Sequence, residues 1–377
     1  MKVAKIIISS FVFVIILCTI LLFLYYKYIE MPLHPTQPVA SGEFNAQPVW
    51  VYAAEETITS TPAVKGLRIF IRTLNSIFAL DATNGNLLWH VVSPGTYPLS
   101  VPPQVIDEYL IVPEKGSQIA AFTIDTGHLV WRTSPIRIAL DNPVTAAIES
   151  ITSMNDMIYV ARFDWSLIAY NLKNGGVAWE QNIPGRTSPY LAADERAVYL
   201  GAGQSLKAYD VRTGAILWQE ENEGYTGPII LDGNILYITN EAHPSLFALD
   251  LDTLNVKWKK EFPEINEFEF GCLLASDTTL YIAAEELIAV SKTDGRVVWI
   301  SEKTGRLECP VILGRRIYVR NTNTKLFAFE IGSGRVVGML ILQANTPMKH
   351  EPNRSPAVSG DMLIVPFGDN RIFAYKY

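Results

Sequence analysis

Few residues of this chain have a type and spacing that could do chemistry. Five histidines could ligate a metal or move protons, but His34, His90, His128, His243 and His350 are scattered, without HExxH or a pair at ligand spacing. Three cysteines, Cys18, Cys272 and Cys309, include no CxxC pair for zinc or redox work. The turn Asp125-Thr126-Gly127 could pass for part of a calcium loop, yet its equivalents recur along the chain as hairpin turns. A GxSxG elbow, a P-loop and a GxGxxG after a strand are all missing. The sequence therefore offers no catalytic, metal-binding or cofactor-binding residue, and binding without catalysis is the expectation.

The elements that would position any functional residue are set by a repeat. Its clearest copy runs from Ala208 to Trp218, with Asp210 and Thr213-Gly214 between. Alternating apolar and polar residues lead into a short turn and out again, which predicts two antiparallel strands joined where Gly supplies a positive φ. Other copies end at Trp89, Trp131, Trp179, Trp258 and Trp299, and a seventh, from Ala328, puts Gly338 where Trp should stand. Upstream of each copy lies a strand such as Val198-Tyr199-Leu200 or Ile317-Tyr318-Val319, itself preceded by an opening Pro or small residue. Four short strands in roughly 40 residues form one β-propeller blade.

The ends settle the number of blades. Arg371 to Tyr377 is an eighth copy of the Ala strand without a Trp partner, and Pro48 to Tyr52 is a lone Trp strand without a hairpin before it. If Trp50 supplies the outer strand of the blade ending at Tyr377, eight blades close into a ring. Seven blades and a stray strand is the competing count. The expected fold is all-β: an eight-bladed propeller closed by N- and C-terminal strands, after one N-terminal transmembrane helix.

The repeat resembles the A-x-D-x-x-T-G-x-x-x-W repeat of the pyrroloquinoline quinone (PQQ)-like propellers, the quinoprotein alcohol dehydrogenase-like superfamily, over about Pro48 to Tyr377. The resemblance implies that Trp50, Trp89, Trp131, Trp179, Trp218, Trp258 and Trp299 dock onto the neighbouring blade near its glycine turn. It also implies that Asp81, Asp210 and Asp250, with Asn171, form the turns, and that the contact at Gly338 is weaker. Enzymes of the superfamily carry adjacent cysteines, a calcium or lanthanide set and long insertions. Here no two cysteines are adjacent and the domain is close to bare blades, so the resemblance is to the non-enzymatic lipoprotein propellers of the outer-membrane barrel-assembly machinery.

Recognition is expected at the face carrying the connections between blades, because loops on a rigid scaffold commonly bind. Arg186, Arg306, Arg354, Glu269 and Glu308 are the candidate ligand rim at the channel mouth there. The longest connection is read as Arg132 to Ser153. Cys272 and Cys309 open successive blades. A bridge outside the cytoplasm is conceivable, but inner strands of different blades are not paired, so two buried free thiols are favoured.

Net charge is −7, which argues against a broad basic face for nucleic acid. Lys2 and Lys5 precede an uncharged run from Ile6 to Tyr26, about the length a bilayer core requires of a helix. It is longer than a signal-peptide core and ends in bulky Leu24, Tyr25 and Tyr26. The domains are read as a tail 1–5, an anchor 6–26, a Pro-rich linker 27–47 and the propeller 48–377. The basic N-terminus favours a propeller outside the cytoplasm at the cell membrane. The expected function is a protein-binding scaffold or recognition domain, monomeric, with another protein or peptide as partner and no cofactor. The alternatives are a PQQ-dependent dehydrogenase and a ligand- or carbohydrate-sensing propeller.

Overall fold

The computed structural model describes residues 39–42, 47–93, 101–135, 148–162, 164–183, 189–203, 205–221, 227–240, 243–263, 272–322, 325–342, 354–367 and 370–376. The run Ile6–Tyr26 lies outside them. Among the described residues no helix is long and apolar enough to cross a membrane.

Eight antiparallel sheets follow one another, six of them in sequence order from inner to outer strand and two completed by a strand from the N-terminal side. Blade four shows the unit: Tyr190–Ala193, Ala197–Ala202, Ser205–Asp210 and Ile216–Glu221. The second and third strands are almost wholly buried, and the outer strand is largely exposed. Blade eight consists of Ala357–Ser359, Met362–Pro366, Arg371–Lys376 and, as its outer strand, Trp50–Ala53 from the other end of the sequence. Trp50 pairs with Ala374, so the ring closes with eight blades.

The repeat residues explain the packing. Across blade three, Tyr159, Ala169 and Trp179 pair in one row over three strands. The methyl of Ala169 lets the flanking rings approach to 5.7 Å, a distance suited to tilted aromatic pairs. The same Tyr-Ala-Trp row brings rings to 6.1 Å in blade four, 5.9 Å in blade five and 5.8 Å in blade six. These rows face the next blade, and each hydrophobic cluster spans a blade boundary, as Tyr159 and Trp179 do with Val198, Leu200 and Tyr209.

The indoles then reach the next blade's turn. Trp179 Nε1 donates to the Val211 carbonyl at 3.1 Å, and Trp50 Nε1 to the Ala82 carbonyl at 2.8 Å. Trp89, Trp131, Trp258 and Trp299 make the equivalent bond to Ile124, Leu172, Lys292 and Ile331. Trp218 packs with Leu249 and Leu251 of blade five. Gly214 sits at φ 71°, and a Cβ there would lie 2.6 Å from the Trp179 ring. Both the backbone and the close approach require glycine. In the turns, Asp210 Oδ1 accepts N–H bonds from Arg212 and Thr213, as Asp250 does from Asp252 and Thr253. Asp81 accepts from Thr83, and Asn171 from Lys173.

Blade seven departs from the pattern. Its four strands are Val311–Leu313, Arg316–Arg320, Lys325–Glu330 and Val336–Ile341, and a fifth, Val39–Gly42, pairs antiparallel with the last. Gly42 stands opposite Gly338, which is buried. Blade eight takes its outer strand from Trp50–Ala53, so no tight turn joins its third and outer strands, and an indole at 338 would have no glycine turn to meet. The added strand lies within the stretch 27–47 read as linker. Blade three differs as well. Its inner strand is Ile148–Met154, so the connection after Arg132 ends sooner than Ser153. Ile148 and Ile151 are buried along that strand, which draws it into the ring.

Candidate functional site

Every inner strand begins at the end of the ring that carries the connections between blades. The loop between second and third strands returns to the same end. Buried charge collects there. In blades one and seven an arginine directly follows the apolar stretch of the second strand, as Arg72 after Ile69-Phe70-Ile71 and Arg320 after Ile317-Tyr318-Val319. Both are wholly buried, and so is Arg354, just ahead of the inner strand of blade eight.

Two of the five rim residues meet. The backbone N–H of Arg354 donates to Glu308 Oε2 at 3.3 Å, and the N–H of Glu308 to the Arg320 carbonyl at 2.8 Å. The N–H of Cys309 donates to Ser355 Oγ at 3.0 Å. Glu308 is buried, so this pair forms the wall of the mouth and not its outer lip. Arg306 is exposed nearby, its carbonyl accepting from the N–H of Thr322 at 2.9 Å. Arg186 and Glu269 lie outside the described residues.

The cysteines require a correction. Cys272 and Cys309 form a disulfide, with Cα atoms 4.8 Å apart. The expectation of free thiols assumed that unpaired inner strands stay too far apart. Cys272 opens the inner strand of blade six and Cys309 precedes that of blade seven, and where two such strands begin beside the axis they need no ladder between them to come within bridging range.

A second polar group lies at the boundary of blades one and two. The buried Glu114 carboxylate accepts both nitrogens of the Arg132 fork, at 2.5 and 3.0 Å, and the Ser93 hydroxyl at 2.6 Å. Arg72 Nη1 donates to the Pro113 carbonyl beside it. Burial brings the Arg72 guanidinium down to about 10, against the pull of Glu114, so it stays charged at neutral pH. In blade three, Arg162 Nε donates to Ser166 Oγ at 2.7 Å and pairs with Asp164 and Glu180. Sequence reading passed over Glu114, Arg132, Arg72 and Arg162. Their signal is a charge one or two residues beyond an otherwise apolar strand.

These groups are ion pairs and hydrogen bonds that hold loops. Of the histidines, His90, His128 and His243 fall in blades one, two and five. Among the described residues no group of three or more His, Cys, Asp or Glu could hold a metal. At the opposite end, an open depression of about 500 Å³ is lined by Asp107, Ser153, Asn155 and Asp156 in the inner turns of blades two and three.

A family model described as outer membrane protein assembly factor BamB matches residues 45–260 and 268–377. BamB of Shewanella oneidensis is 22% identical over 266 residues, spanning 70% of this chain and 58% of its own length. Tetrathionate hydrolase of Acidithiobacillus ferrooxidans is 26% identical over 314 residues, spanning 75% of this chain and 59% of its own. The chain thus covers less than two thirds of either curated relative. BamB from Moraxella catarrhalis superposes with a TM-score of 0.65 at 16% identity, covering 88% of this chain and 99% of that one. Quinohemoprotein alcohol dehydrogenase from Comamonas testosteroni gives 0.67 at 12% identity, covering 88% and 76%. Such structural likenesses establish the fold alone.

Proposed function

Because the chain belongs to the outer membrane protein assembly factor BamB family of PQQ-like propellers, we propose that it is a membrane-anchored scaffold whose propeller binds another protein outside the cytoplasm, without catalysis. The observation that carries the reading is the family match, which runs over almost the whole ring. The binding end is the one with the connections between blades, around Glu308, Arg354 and exposed Arg306. Two further features support the place. The disulfide suits an oxidising compartment, and Ile6–Tyr26 suits an uncleaved anchor.

The test is photo-crosslinking in the native membrane. A crosslinking residue at Arg306 is compared with one at Asn84, in a turn at the opposite end. A discrete protein captured from 306 and not from 84 supports the reading. Equal capture from both positions argues against that end. Titration of the same protein with pyrroloquinoline quinone and calcium, followed by dye reduction with alcohols, addresses catalysis. Turnover there would replace the scaffold with a dehydrogenase.

A further inference from the structure

The eight outer strands divide into two halves of the ring. In blades two to five they carry charge, including Arg132, Glu180, Glu220, Lys257 and Lys259. In blades six, seven, eight and one they are Val297–Ile300, Val336–Ile341, Trp50–Ala53 and Leu87–Val92. None of these four contains Asp, Glu, Lys or Arg. They are consecutive around the ring. Apolar side chains are exposed on both halves, so charge is what separates them. An outer strand is a sheet edge, and charged side chains are a common guard on such edges. Blade seven's edge is covered by the chain's own Val39–Gly42. Among the described residues no strand covers those of blades six, eight and one, and Val298, Ile300, Val49, Val51, Leu87 and Leu88 there are 46–53% exposed. His90, on the same rim, is stacked on Phe78 with ring centroids 4.4 Å apart.

We propose that this uncharged half of the rim lies against the lipid surface, an inference that rests on the anchor reading of Ile6–Tyr26. Two facts choose lipid as the occupant. The first is where the chain enters: Val39–Gly42 joins blade seven, inside the uncharged half. Only residues 27–38 separate it from the flank of the uncharged run, and fully extended they reach about 40 Å, a distance comparable to a bilayer's own thickness. The second is the charge division. Setting the rim of blades two to five on lipid would strip water from its ionised side chains, at a cost the other half avoids. Exposed apolar side chains gathered on one side of a surface mark contact sites, and shallow burial of such side chains at the acyl boundary adds to membrane affinity.

The experiment uses the full chain in phosphatidylcholine vesicles. In a C18S background with the native disulfide intact, single labels are placed by V51C, L88C and V298C on the uncharged rim, and by L217C and K259C on the charged rim. Nitroxide-bearing lipid should quench the first three several-fold more than the last two. Equal quenching of all five, or stronger quenching at 217 and 259, overturns the proposal. Crosslinking of 51 or 88 between copies without lipid quenching overturns it in favour of self-association. Alkaline carbonate extraction of the same vesicles separates the two readings. Release of the chain removes the anchor and the rim contact together, whereas a retained chain with equal quenching removes only the rim contact.

Discussion

Breaking the bridge between Cys272 and Cys309 tests how blades six and seven are held together. The double variant C272A/C309A, or the reduced protein, frees a loop closed across a sequence separation of 37. Chain-entropy arguments make that closure worth about 4 kcal/mol, through restriction of the unfolded ensemble. With a urea dependence of about 3 kcal/mol per molar, the unfolding midpoint should fall by about 1.3 M. The loss should be the same for reduction and for the double variant, since both open the same loop. Thiol titration of the unreduced, denatured full chain gives an independent reading. Of Cys18, Cys272 and Cys309, only Cys18 should react, and all three should react after reduction. Three reactive thiols before reduction would show that the bridge does not form. A single reactive thiol combined with an unchanged urea midpoint would refute the loop-closure reasoning while leaving the bridge in place.

Other outcomes follow from the same geometry. Gly214→Ala should cost about 2 kcal/mol or more, from its left-handed φ and the Trp179 ring. Gly233→Ala, at φ 59° with open space around it, should cost about 1 kcal/mol, and equal losses in urea unfolding would remove the indole contact from the account. In acid, the turn carboxylates matter. Hydrogen bonds hold Asp81, Asp210, Asp250 and Asp294 below the usual range, led by those from the Thr83 hydroxyl, the Thr213 hydroxyl, the Thr253 N–H and Ser291 respectively. Their folded values are depressed, so the stability they add is present above the unfolded value of about 3.9 and is lost as pH falls through the folded ones. The urea midpoint should drop below about pH 4, and a flat midpoint there would contradict the assignment. Gly338→Trp should loosen Val39–Gly42, because the indole would meet a paired backbone and not a turn. Limited proteolysis near residue 42 should quicken, and an unchanged cleavage rate would count against the pairing.

Much of this ring can be read from residue types alone, because each blade repeats one physical solution. Ala between Tyr and Trp, an acid at the turn and Gly beneath the neighbour's indole recur at fixed offsets, and the unpaired Trp50 strand signals closure. Three features are harder to read. Cys272 and Cys309 lie in different sheets, and their approach depends on where strands begin around the axis, which no periodicity encodes. The strand Val39–Gly42 sits in a Pro-rich stretch, and its trace lies instead in its partner: Val336–Ile341 has no polar side chain, whereas Ile216–Glu221 ends in Gln219-Glu220-Glu221. At the end that carries the connections between blades, the meeting of Glu308 with Arg354 depends on two loops brought together by neighbouring inner strands. The burial of Arg72 and Glu114 depends likewise on the contact between blades one and two, which neither strand's own sequence encodes.

The outer strand of blade eight has a consequence for the order of synthesis. Its partners are made far apart in time: the Asn370 side chain donates to the Ala54 carbonyl at 2.6 Å across a separation of 316 residues. Trp50–Ala53 leaves the ribosome well before Arg371–Lys376 and must wait for that strand before its ladder can form. Until then the strand and the edge it will cover are both unpaired, and pairing so distant is slow. Until Arg371–Lys376 arrives the early strand can adhere to other edges, so a nascent chain of this kind gains from chaperones that mask strand edges.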